Sequence, residues 1–96
     1  MNKQRRKAIA ELQKRIYAVV ETAVLELEGL NEELGGIVDE EQDYLDNIPE
    51  NLQGSERYEM AEQAVENLEN AVSSLEELID ALDTEELDGY LNDAME

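Results

Sequence analysis

An unbroken alternation of three- and four-residue steps joins the apolar residues in the second half of the chain: Tyr58, Ala61, Val65, Leu68, Val72, Leu75, Ile79 and Leu82. Successive β-strand side chains point to opposite faces, so a strand cannot use this spacing; an α-helix can, and it gathers all eight residues on one stripe. A heptad stripe is buried only against another helix. The feature therefore demands a helical partner, and the first half of the chain supplies one. Its seam runs Ile9, Leu12, Ile16, Val19, Ala23, Leu27, Leu30, Leu34, Ile37, then Glu41, Tyr44 and Ile48, with Glu41 the polar intruder. Two consecutive four-residue steps at Val19, Ala23 and Leu27 form a local hendecad, which relaxes a left-handed supercoil.

The breakers lie between the two seams. Asn47–Gly54 holds the only proline, Pro49, and Ser55 follows at an N-cap position. The expected fold is all-α: an antiparallel helical hairpin, coiled-coil-like, with helix 1 over about 3–46, a turn at 47–54 and helix 2 over about 55–83. Gly35-Gly36 costs helix 1 roughly 2 kcal/mol of propensity relative to alanine. A kink, a close crossing or a break could stand there; a continuous helix bent at that point is the reading adopted. Asp83-Thr84-Glu85-Glu86 resembles a capping box with Asp83 as N-cap, so residues 84–95 form either a short third helix or an extension of the second.

On a heptad wheel with Tyr58 at position a, positions e and b hold Glu62, Glu69, Glu76, Asp83, Glu59, Glu66, Ser73 and Asp80, seven acids in eight. Positions g and c hold Arg57, Ala64, Ala71, Leu78, Met60, Asn67, Ser74 and Ala81. The apolar arc is wider than a two-helix seam requires. Helix 1 repeats the excess with Tyr17, Val20, Val24, Val38 and Leu45. A homo-oligomer, most simply a dimer forming a helical bundle, is expected to cover these faces, with Tyr17, Val20, Val24, Ala64, Ala71, Leu78 and Ala81 at the interface. The competing arrangement is a monomer whose C-terminal segment folds back.

Charge narrows function. Among 96 residues, 26 acids face 7 bases, a net charge of −19, and six of the bases (Lys3, Arg5, Arg6, Lys7, Lys14, Arg15) fall within the first fifteen residues. Such a chain repels nucleic acid and anionic membranes and attracts basic protein surfaces. Cys and His are absent, which removes the usual nucleophile, the usual general base and most transition-metal ligands. Asp39, Glu41, Asp43, Asn47 and Glu50 match five positions of an EF-hand loop, but Tyr44 stands where its glycine belongs. No catalytic residue, metal or cofactor is therefore expected. Nor is a membrane span or direct nucleic-acid binding, and the cytosol of a host cell is the expected location. The stripe Glu59, Glu62, Glu66, Glu69, Glu76, Asp80 and Asp83 is either a solvated face or a phosphate surrogate for a basic partner. Acids spaced about 5 Å apart along one helix are sparser than duplex phosphates at one per ~1.7 Å.

Two stretches, MNKQRRKAIAELQKRI at the start and DEEQDYLDNIPENLQGSERYEMAEQAVENLENAVSSLEELIDALD from residue 39, resemble a largely uncharacterised family of small acidic helical proteins of phages, prophages and integrative elements in Gram-positive bacteria. The segment Asp46–Tyr58 carries the most specific part of that resemblance; Gly35-Gly36 and Thr84–Glu96 depart from it. The resemblance supplies no catalytic residues. It implies a mobile-element setting, and by analogy an inhibitor of a basic, nucleic-acid-handling host defence protein such as a CRISPR effector. The alternative is a structural module that pairs only with itself or with another coiled coil.

Overall fold

The computed structural model describes residues 1–96. It contains three α-helices and no strand: α1 (Lys3–Asp46), α2 (Glu56–Ala81) and α3 (Glu85–Met95), with a 3-10 turn at Glu50–Leu52 before α2. At 1.5 Å per residue α1 is ~66 Å long, and it forms the spine of a backbone measuring 76 × 18 × 12 Å. The molecule is a plank, two helices wide and about one helix thick.

Each helix start is chemically specified. The Asn2 side chain accepts the Arg5 amide at 2.8 Å and so starts α1. Ser55 Oγ accepts the Tyr58 amide at 3.2 Å and donates to the Leu52 carbonyl at 2.6 Å, tying the cap of α2 to the turn. Glu56 and Glu59 in the first turn of α2 suit the positive end of its dipole. Helix α2 stops at Ala81, shorter than the expected 83, because Leu82 leaves helical geometry at φ −81°, ψ 73°. The Asp83 side chain then accepts the Glu85 amide at 2.8 Å, and Thr84 Oγ1 donates to the Asp88 carboxylate at 2.9 Å. Asp83 thus caps α3 two residues ahead rather than three, with Thr84 as the flanking residue. Helix α3 packs on α1; the Gln13 amide donates to the Asn92 side chain at 3.0 Å. Residues 84–95 therefore continue the line of α2 along the spine and do not fold back over the hairpin.

Gly35-Gly36 breaks nothing. Helix α1 runs through them with a bend of only 8°, both glycines have ordinary negative φ, and a Cβ at either would meet no atom within 4 Å. They mark neither a kink nor a close crossing. The EF-hand-like spacing has no loop to occupy, since Asp39, Glu41 and Asp43 all lie within α1.

Burial is sparse. Four residues of 96 are buried: Leu45, Ile48, Ala61 and Val65, with Tyr58 packed against them, all at the turn end. This cluster fixes the rotation of α1. Leu45 enters the contact, while Tyr44 goes to the rim, where its hydroxyl accepts from Arg57 Nε at 2.6 Å and the guanidinium lies 5.6 Å from the ring centre. The helical period carries that rotation back along the whole spine. Gln13, Ile16, Val20, Ala23, Val24, Leu27, Asn31, Leu34, Val38, Glu41 and Leu45 of α1 face inward, followed by Ile48 in the turn. The expected seam was rotated by about one position: Leu12, Val19, Leu30, Ile37 and Tyr44, assigned to it, are exposed, Val19 by 70%. Glu41 is not the sole polar intruder. Gln13 and Asn31 also face inward, and Asn31 Oδ1 is buried with no hydrogen-bond partner.

Candidate protein-docking surfaces

The rotation of α1 decides what stands on each broad side of the plank. On one side, Glu28 and Glu32 of α1 share a shallow depression with Glu76 and Asp80 of α2. A second depression, farther toward α3, brings Glu21 and Glu28 beside Asp80 and Asp83. The helical period extends the α1 row through Asp39 and Asp46, and the α2 row through Glu69, Glu66, Glu62 and Glu59 toward the turn. All seven acids of the predicted stripe are exposed. Sequence reasoning missed the second row, because only the pairing of the two helices places it next to the first.

The other side is apolar along α2, while the helical period sets Glu26, Glu33 and Glu40 along its α1 margin, Glu26 at the same azimuth as Tyr44. Tyr44 of α1 lies in a depression with Arg57, Met60, Ala61 and Ala64 of α2, rimmed by Glu41 and Glu56. From there the α2 positions Asn67, Ala71, Ser74, Leu78 and Ala81 continue with no acid among them. Leu30 and Ile37, and farther along Val19 and Leu12, continue the α1 edge.

The predicted oligomer interface does not come together as one patch. Val20 and Val24 are half-buried inside the molecule, beside Leu82. Tyr17 is exposed but belongs to the acid side, sharing its depression with Glu21, Asp80 and Asp83. Ala64 is half-buried, while Ala71, Leu78 and Ala81 are exposed on the opposite, apolar side. The apolar neighbours of Leu78 on α1 are the residues that had been placed in the seam. A signal for them was present: Leu12 and Val19, then Leu30, Ile37 and Tyr44, recur at sevens with one eleven-residue step.

The acids form no ion pairs within the fold. No side-chain hydrogen bond joins a Lys or Arg to a carboxylate; the one cation beyond Arg15, Arg57, is bonded to Tyr44. Like charges four residues apart, such as Glu62 with Glu66 and Glu76 with Asp80, each cost a helix about 0.2–0.5 kcal/mol. No group of three or more acids converges to hold a metal ion, and no helix is long and apolar enough to cross a membrane. No family model matches the chain, and neither the curated proteins nor the solved structures include a significant match to it.

Proposed function

We propose that the chain is a non-enzymatic binding protein that presents its acid side to a basic, nucleic-acid-handling protein, in place of nucleic acid. The alignment of two acid rows on one side carries this reading. The segment 16–84 holds twenty acids and one base, and so bears the whole net charge of −19, while residues 1–15 and 85–96 together balance six bases with six acids. The charged segment is ~50 Å long as a hairpin, so it carries about one net charge per 2.6 Å. That lies between one strand of duplex DNA, at about one per 3.4 Å, and the whole duplex, at about one per 1.7 Å. The hairpin's figure counts every face of the segment; on the acid side alone, the seven acids of the stripe with Glu21, Glu28, Glu32, Asp39 and Asp46 of α1 stand about one per 4 Å, somewhat denser than the stripe by itself. A face serving solubility alone is better built from mixed signs, which add stabilising pairs on a helix; here the acids accept that repulsion and leave the cations at the far end. The resemblance to mobile-element proteins supports an inhibitory role toward host defence.

The immobilised full chain should retain proteins from a bacterial host lysate in a salt-sensitive manner, and added duplex DNA or RNA should displace them. Reversal of Glu62, Glu66, Glu69 and Glu76 to Lys should lower that retention by at least tenfold. Retention indifferent both to nucleic acid and to the four reversals would sink the reading. The plainer alternative, a module that only self-associates, draws on the opposite side of the plank.

A further inference from the structure

We propose that the apolar side of the plank docks a second copy of this chain, the two rods lying antiparallel to close a four-helix bundle. The proposal stands apart from the acid sides, which remain outward in the assembly. Area is its first support. The chain exposes 7529 Å², whereas a globular monomer of 10.9 kDa exposes about 5,600 Å² by the size scaling of folded proteins. The excess, about 1,900 Å², exceeds the ~800 Å² that each partner contributes to a standard interface. The second support is its location. The helical period places nine of the thirteen large exposed apolar residues on this one side. Val19 and Ile37 on α1, Met60 and Leu78 on α2, and Tyr90 on α3 mark its length. A plank one helix thick gains its missing second layer when two such sides meet.

Net charge opposes the pairing, but the distribution of charge sets its direction. The two ends of the apolar side differ at their rims. Arg15 flanks Leu12 and Val19 at the N-terminal end of the spine, and Glu41 and Glu56 flank Tyr44 and Met60 at the turn end. Antiparallel overlap sets the rim bearing Arg15, with the other five bases beyond it, against the rim bearing Glu41 and Glu56, twice by symmetry. Parallel overlap stacks acid on acid along the whole 16–84 segment.

Sedimentation equilibrium of the full chain should report twice 10.9 kDa. Because each copy carries −19, added salt should tighten this association, opposite in sign to its effect on a basic partner. The double variant Ile37→Glu/Leu78→Glu should sediment as a monomer with undiminished far-UV helicity, since both side chains are more than half exposed in the single chain. Tyr17→Glu, on the acid side, should leave the dimer intact. The chain has no cysteine, so introduced thiols report direction cleanly. Leu12→Cys mixed with Tyr44→Cys should cross-link under mild oxidation, and Tyr44→Cys alone should not. A monomer mass for the unsubstituted chain overturns the proposal and leaves the side to an unrelated helical partner. A dimer that survives the double substitution overturns this choice of face, and self-cross-linking of Tyr44→Cys overturns the antiparallel direction.

Discussion

The two ends of the plank hold together by different means. At the turn end, Leu45, Ile48, Ala61 and Val65 are buried, Arg57 is bonded across to Tyr44, and the surroundings are strongly acidic. At the far end nothing is buried, the contact between α1 and α3 includes a Gln13–Asn92 side-chain bond, and acids and bases balance. Apolar burial at the turn outweighs the local repulsion. Where burial is thin, Lys3, Arg5 and Arg6 oppose the dipole at the start of α1, and the contact with the acidic α3 rests on packing and the Gln13–Asn92 bond.

The sharpest way to break this comparison is one substitution at each end. Leu45→Asp buries a carboxylate in the only buried cluster and should cost more than ~3 kcal/mol, enough to abolish the cooperative thermal transition followed by circular dichroism. Leu91→Asp should leave the hairpin standing. An isolated helix shorter than about 12–15 residues is marginal in water, so the helical signal should fall by the eleven residues of α3 while the main transition stays. Equal damage from the two changes would erase the distinction between the ends.

Between the ends, Gly35→Ala with Gly36→Ala should raise stability by about 2 kcal/mol in urea denaturation, because the new methyl groups have open space and each removes a glycine penalty of ~1 kcal/mol. A loss of stability there would mean that the glycines serve a contact outside the single chain. Asn31→Leu should add about 1 kcal/mol by removing an acceptor buried without a partner. The smallest effect belongs to Gln13→Ala, at ~0.5 kcal/mol, visible as faster amide exchange confined to α3.

The architecture was largely legible, and the rotation of one helix was not. Helix α2 could be read because its acids occupy positions e and b and leave one apolar arc. The turn was marked by Pro49 and Ser55, whose chemistry is local. Helix α1 has two apolar lines that share Ile16, Ala23, Leu27 and Leu34, so either line satisfies its own spacing. The choice between them rests on which of Tyr44 and Leu45 enters the contact with Ala61 and Val65, and that is a tertiary decision. Its effect reaches the candidate surfaces: it moved Val20 and Val24 inward, turned Val19 and Ile37 outward, and left Tyr17 apart from Leu78. The individual acids of the stripe needed no structure to find. Their second row did, because Glu28 and Glu32 face Glu76 and Asp80 only after the chain has reversed.

The single long spine also imposes an order of events. Contacts near the turn close loops of about ten to twenty residues, whereas Gln13 and Asn92 are 79 positions apart; loop-closure entropy favours the short ones first. The hairpin therefore zips from Leu45 and Ala61 outward, and α3 docks last.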